Sequence, residues 1–456
     1  MDSDSNCDLL VIGGGSAGTT AAMTAASLGK KVIIVEKGKL GGTCTNVGCV
    51  PTKVLLHGAS IIRTAKTAEE YGVESKRKDG FNLIKEHKNN MTRKMRDSGK
   101  ATLERAGIEI LSATASFKDK RVVLADEFSI QSDNVLIAAG ASPLFPPIEG
   151  LDSVEFLTST TALELDVLPK SIVIIGGAYI GLEFATLFNT LGVKTTVIEA
   201  FDRLAPNEDK DISKLLTEAL KNQGMDIFVN TMVEEVEESG EGVKVRAKTK
   251  SGMVEVSAEK MLVATGRGSE LSSLGLESAS INYGRKGIDV DDYLQTSTTG
   301  IYAAGDVVPS LQLEHVAVYE GGLAANNMFS SIKKETDYRV IPRIMFSHPE
   351  VASVGMTEDE AREAYSIEIM NYSYAAIPMA QINEDTTGLI KLIADRESKK
   401  LLGAHIIGTD AGNLIHLATL AMEAEIPVEI IGKTVAAYPS LSQGFFSACE
   451  DLGANI

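Results

Sequence analysis

Cysteine is scarce in this chain, with four among 456 residues: Cys7, Cys44, Cys49 and Cys449. That excludes the disulfide framework of a small secreted domain. A structural zinc site takes four ligands in paired groups, and no second Cys or His pair follows Cys44 and Cys49 at suitable spacing. Positive charge is also short. Lys plus Arg number 44 against 62 Asp plus Glu, a formal net charge of −18, which opposes phosphate backbones and anionic lipid, so nucleic acid is not an expected partner. No apolar run reaches the ~18 residues that suggest a membrane span. The opening MDSDSNCDLLVIGGG carries acids where a secretory leader carries bases, and a soluble cytoplasmic protein is expected. Proline is low, at 12 against 41 glycines; with 44% hydrophobic and 23% charged residues, disordered or collagen-like stretches have little room. The length exceeds the ~250–300 residues at which single cores stop growing, so two or three domains are expected.

What is present begins with DLLVIGGGSAGTTAAMTAASLGKKVIIVEKG, a strand, a glycine turn, an Ala-rich helix and a second strand. Gly13 permits the tight turn, Gly15 lets backbone approach a pyrophosphate, and Gly18 lets helix and strand pack closely. Glu36, 23 residues after Gly13, suits a ribose diol. The pattern repeats in SIVIIGGAYIGLEFATLFNTLGVKTTVIEA, where Gly176 and Glu199 are again 23 apart and Gly181 takes the third glycine place. Two units imply two dinucleotides. Ala178 holds the middle glycine position of the repeat, which predicts looser or displaced binding. Glu199, with no Arg directly after it, favours a free 2′-hydroxyl and thus NADH over NADPH.

Strands in NVLIAAGASP and MLVATGRGSE lead back toward a nucleotide at Gly140 and Gly266, and TSTTGIYAAGDVV ends in an acid, Asp306, suited to a ligand hydroxyl. The basic stretches SKRKDG and MTRKMRDSGK, without interleaved aromatics, read as a solvated helix face. From about Ile341, GLIKLIADRESKKLLGAHIIG alternates as antiparallel strands do, and helical LIHLATLAMEAEI follows. The expected limits are 1–147 for the first part of the first nucleotide domain, 148–266 for the second, 267–336 for the return to a central domain, and 337–456 for a C-terminal domain.

The chemical centre is GGTCTNVGCVPTKVLLHGA, with Cys44 and Cys49 around a glycine turn that enters a helix. A helix N-terminus and Lys53 both lower a thiol pKa. The spacing allows a reversible disulfide without proving one. This run, the two nucleotide units, the ATG segment at Ala264 to Gly266, TSTTGIYAAGDVV and RIMFSHPEVASVGMTEDEA together resemble the FAD-dependent pyridine nucleotide-disulfide oxidoreductases over nearly the whole chain. The resemblance implies an α/β homodimer: two Rossmann-like dinucleotide-binding domains plus a C-terminal α+β dimerisation domain. It implies FAD at Gly13, Gly15, Gly18, Glu36, Gly42, Thr43, Ala115 and Asp306, with Glu314 and His315 near the ring, and NADH in the second unit. By the same resemblance Lys53 pairs with Glu183, Tyr179 gates the nicotinamide pocket, Cys49 faces the flavin as a thiolate, and Cys44 meets the acceptor.

One departure matters. In the family's disulfide reductases the C-terminal domain of the partner subunit supplies a His and a Glu in a run that here reads AAYPSLSQGFF, with Tyr438 at the His position, Gln443 at the Glu position and Ala436 at an upstream residue that is often also His. A tyrosine phenol ordinarily titrates near pH ~10 and is a poor base, so reduction of a neutral disulfide is expected to be slow. Mercuric reductase and the soluble transhydrogenase also carry Tyr there. The transhydrogenase lacks the second redox cysteine, and mercuric reductase has a C-terminal cysteine pair where this chain has Cys449 alone. Cys449, Cys7 and His57 read as packing residues. The resulting expectation is an FAD enzyme that passes electrons from NADH through Cys44 and Cys49 to a small-molecule acceptor at the dimer interface. It is mercuric-reductase-like or an atypical, dihydrolipoamide-dehydrogenase-like disulfide reductase. A quinone or dye diaphorase, a transhydrogenase and a non-catalytic flavin-binding subunit are the alternatives.

Overall fold

The structure, a computed structural model, describes residues 4–74, 80–240 and 242–456. Most of SKRKDG lies outside the described residues. The first glycine turn joins two apolar runs whose residues are almost all buried, which demands a sheet covered on both faces. Accordingly Leu9–Ile12 and Val32–Glu36 lie in a five-stranded parallel sheet of order Ile301–Ala303, Val135–Ile137, Leu9–Ile12, Val32–Glu36, Glu109–Ser112. Helix α1 (Ser16–Ser27) buries Ala17, Gly18, Ala21, Ala22 and Ala25, and these small residues allow close approach. The redox segment forms α2 (Gly42–Val47) and α3 (Cys49–Thr67), and α4 (Gly80–Arg105) follows.

The second unit repeats the plan. Its parallel sheet has the order Asp226–Phe228, Lys194–Ile198, Ser171–Ile175, Lys260–Val263, with α5 (Tyr179–Thr190) and α6 (Lys210–Asn222). The chain then returns to the first sheet through Ile301–Ala303 and α7 (Glu314–Phe329), which packs on α1 so closely that a Cβ on Gly321 would overlap the Ala17 carbonyl. The last unit is a five-stranded antiparallel sheet, Arg343–Met345, Val351–Gly355, Leu401–Ile407, Leu389–Asp395, Ile367–Ser373, covered by Ala411–Glu423 and Ser442–Ala454.

Three local features refine the reading of the sequence. Cys44 and Cys49 lie on either side of the break at Gly48, with Cys44 on a short helix of its own. Cys7 closes a strand, Asp4–Cys7, paired in parallel with Phe128–Ser132; burial pushes its thiol up to about 11, in keeping with packing. MTRKMRDSGK is largely exposed as expected, whereas Lys88, three residues before it on the same helix, is 2% exposed and bonds the Leu163 carbonyl and Glu164.

Candidate functional site

Both glycine turns open onto one cavity of about 1440 Å³, larger than the ~300–1,000 Å³ of ordinary small-molecule pockets and suited to extended ligands. In the first unit Gly13 has φ +105°, and a Cβ there would overlap the Ala138 carbonyl. Gly15 is different. Its φ is −80°, and a Cβ would meet only Gly42 Cα, at 3.8 Å, so its glycine leaves space in the cavity rather than relieving strain. Glu36 accepts the Gly14 and Gly38 amides, each at 2.6 Å, which fixes its carboxylate at the strand end. Gly42, Thr43, Ala115, Gly140, Asp306, Glu314 and His315 also line the cavity. Asp306 carries a pKa raised by burial and opposed by Arg267, and among the described residues no donor reaches its carboxylate. Such an acceptor is suited to a ligand hydroxyl.

The second unit reproduces these contacts. Gly176 has φ +113° and would clash with the Ala264 carbonyl; Glu199 accepts the Gly177 and Phe201 amides at 2.6 and 2.8 Å. Ala178 adopts φ −101°, ψ −167°, close to the −80° and −169° of Gly15, so its methyl brings no strain and simply lines the cavity. Tyr179 and Gly266 line it too. Gly18 and Gly181 do not; a Cβ on either would overlap the Gly13 or Gly176 carbonyl, so they serve helix packing.

Between the units lie the thiols. Cys49 is the first residue of α3 and is open to the cavity, whereas Cys44 is half-buried; both are free. A hydrogen bond from Cys44 lowers the Cys49 pKa to about 7, against burial and with help from Lys53. That bond, followed by burial, raises the pKa of Cys44. The Cys44 hydrogen bond and Lys53 thus both favour a thiolate at Cys49.

Lys53, one turn along α3, reaches both Glu183 oxygens at 2.8 Å and stands 4.7 Å over the Phe346 ring. The Phe346 amide donates to Glu183 at 3.2 Å, so two nucleotide units and the last domain meet at one ion pair. Phe346 was not singled out from sequence because no local pattern marks a residue that acts through its backbone. Arg267, directly after Gly266, was missed as well; it donates to the Ala141 carbonyl and to Thr43 at 3.3 Å.

Tyr438 is not brought into this cavity and is 74% exposed, while Gln443 Oε1 is buried without a partner among the described residues. Cys449 is fully buried, and burial pushes its thiol up to about 12. His57 does not pack as expected: it is exposed, and with Lys53, Arg63, Phe346 and His348 it lines a second cavity of about 460 Å³. Among the described residues no group of three His, Cys, Asp or Glu is arranged to hold a metal.

Comparison with known proteins adds the following. The model of the pyridine nucleotide-disulphide oxidoreductase family matches residues 7–321, and the model of that family's dimerisation domain matches 341–449. A mercuric reductase of Bacillus cereus is 38% identical over 442 residues, covering 96% of this chain and 70% of that protein. A dihydrolipoyl dehydrogenase of Bacillus subtilis (strain 168) is 35% identical over 450 residues, covering 96% and 97%. Among solved structures, the HOCl-induced flavoprotein disulfide reductase RclA from Escherichia coli superposes with a TM-score of 0.88 at 30% identity, covering 98% of this chain and 100% of RclA; its Cu(II) complex gives 0.87.

Proposed function

The chain belongs to the pyridine nucleotide-disulphide oxidoreductases, an FAD-dependent family that uses NAD(P)H, and on that premise we propose that it delivers electrons from NADH through Cys44 and Cys49 to a thiophilic acceptor that needs no proton, a soft metal ion above all. It is a flavoprotein disulfide oxidoreductase of the mercuric reductase, dihydrolipoyl dehydrogenase and RclA kind, and its dimerisation domain indicates a homodimer.

The residues of the first unit fit FAD: facing glycines at 15 and 42 leave the slot that a pyrophosphate needs, and Glu36 and Asp306 offer acceptors to hydroxyls. When bound, FAD supplies two-electron exchange between a nicotinamide dinucleotide and the cysteine pair. Glu199 supports NADH, because its buried carboxylate would repel a 2′-phosphate and the nearby Arg203 is turned to Asp202 and the Pro206 carbonyl.

The observation that carries the reading is the pair of thiols, Cys44 and Cys49, lining the cavity that both glycine turns share, beside the Lys53–Glu183 ion pair, with the Cys44 bond and Lys53 lowering the Cys49 pKa. With Cys49 as thiolate and Cys44 as thiol, forming the disulfide gives up two electrons and one proton, that of Cys44; a soft metal ion takes the electrons and the proton passes to water. Tyr438 and Gln443 supply no acid–base dyad for a departing thiolate, and this favours an acceptor that takes electrons alone. A disulfide acceptor is the second reading, supported by the similarity to dihydrolipoyl dehydrogenase. A reducing cytoplasm suits free thiols of this kind, and we assign the protein there with domain limits at 147, 266 and 336.

The test is an anaerobic titration of the FAD-loaded protein with NADH, followed by alkylation and mass spectrometry. One equivalent should expose two new thiols, Cys44 and Cys49. A soft metal ion should then abolish their labelling and restore the disulfide faster than lipoamide or oxidised glutathione. Equal rates would favour the disulfide reading, and dye reduction without new thiols would make the protein a diaphorase.

A further inference from the structure

Glu208 is 1% exposed, in the loop between the strand Lys194–Ile198 and α6. Its Oε1 accepts the Tyr179 hydroxyl and lies 3.4 Å from Nε of Arg343, on the first strand of the dimerisation domain. Its Oε2 has no partner among the described residues. A carboxylate taken so far out of water adds little stability, and the arrangement is better read for the geometry it imposes.

The neighbouring residue holds that carboxylate in place. Asp209 caps α6 through the Asp211 amide at 3.0 Å and bonds Lys391 at 2.8 Å. Lys391 is fully buried in the dimerisation domain and also binds Asp211 and Glu358, each at 2.6 Å. The Glu358 amide returns to Asp209 at 3.1 Å. His405, fully buried nearby, is engaged through Nε2 with the Met356 carbonyl at 2.8 Å. The loop is thus clamped to the dimerisation domain one residue away from Glu208, and the Tyr179 ring that Glu208 holds is part of the cavity wall beside Ala178 and Glu183.

We propose that Glu208, backed by Arg343, is a positioning residue that latches the Tyr179 ring, so that the dimerisation domain sets the wall of the nicotinamide-dinucleotide pocket before the ligand arrives. The inference rests on the reading of the second unit as the NADH site. A ring tethered at both ends loses its freedom at folding rather than at binding, and a released ring must be ordered by the ligand. Nucleotide affinity, not the later thiol chemistry, is therefore what the latch controls.

The test compares Tyr179→Phe, Glu208→Ala, Glu208→Gln and the double variant Tyr179→Phe/Glu208→Ala as full-length FAD-loaded protein. Calorimetry measures the Kd of NAD⁺, and steady-state assays separate KM for NADH from kcat. Tyr179→Phe and Glu208→Ala should each raise Kd and KM about fivefold, the scale of one lost hydrogen bond, with kcat within about twofold. Glu208→Gln keeps an acceptor oxygen and should recover most of the affinity. The double variant should be no worse than Glu208→Ala. Unchanged or tighter binding by Tyr179→Phe overturns the latch, and so does a loss confined to thermal stability. Tyr179→Phe removes only a hydroxyl and keeps the test open where Glu208→Ala does not fold. Wild-type protein that binds no nicotinamide dinucleotide overturns the underlying site assignment instead.

Discussion

The two glycine-turn units share their strands, their positive-φ first glycine and their amide-bound glutamate, and differ in what faces the middle position. Gly15 faces Gly42 at the start of the helix that carries Cys44; Ala178 has the same backbone conformation but leads into Tyr179 and the contacts with the dimerisation domain. The comparison teaches that the turn itself offers a generic anion cradle, and that the neighbouring elements determine how closely a ligand can approach and what chemistry it meets there.

The strongest way to break the comparison is to destroy each turn in the same way. Gly13→Ala and Gly176→Ala each combine a left-handed φ with a carbonyl overlap, costing about 3 kcal/mol or more. Gly13→Ala should yield protein without flavin colour; Gly176→Ala should keep flavin and lose the NADH-driven gain of thiols. Loss of flavin from both would show that the units are not separable.

A second test asks how far the thiols depend on each other rather than on either turn. Because the thiolate of Cys49 is favoured in the folded protein, its pKa falls from 9.0 to about 7. Its alkylation rate should therefore rise with pH through a midpoint near 7, leaving about half of it as thiolate at neutral pH, against about 1% for an unperturbed thiol. Cys44→Ala removes the largest cause and should move the midpoint upward, slowing labelling at pH 7 roughly tenfold. Lys53→Met should move it in the same direction by less. An unmoved midpoint in Cys44→Ala would mean that the helix N-terminus controls the thiol.

The remaining tests exchange the one residue that distinguishes the turns. Gly15→Ala should fold normally, since φ −80° is open to any residue, yet weaken flavin retention about tenfold by filling the slot opposite Gly42. Equilibrium dialysis against FAD would measure it. Ala178→Gly should have the smallest effect, no more than about a threefold gain in NADH affinity, because no strain is released. A larger gain would make the Ala178 methyl the main limit on the second site.

Much of this was legible in the sequence. The apolar runs, glycine spacings and terminal glutamates mark both nucleotide units, and the cysteine segment marks the chemistry between them. Other features escaped for identifiable reasons. Helix α2 has six residues and no buried face, so no periodicity announces it. Lys88 is buried because its ammonium reaches a carbonyl 75 residues away, which composition cannot reveal. His57 falls on an exposed face of α3, although its spacing from Cys49 reads equally well as packing. Gly18 and Gly181 do not line the cavity where the family resemblance put them, but their missing Cβ makes room for backbone of their own unit, the packing role read for Gly18.

By itself the sequence determined the α/β plan with two glycine turns and the cysteine segment between them, and the antiparallel last domain, because strand burial, turn conformation and helix pattern follow from residues close together in the chain. The tertiary structure decided which groups surround the two thiols, which residue cradles Glu183, and how Tyr179 is tied to the dimerisation domain. Lys53 and Glu183 are 130 residues apart, and Glu208 and Arg343 are 135 apart. Hydrogen bonds and desolvation depend on distances through space, and only the packed domains bring those groups within reach of one another.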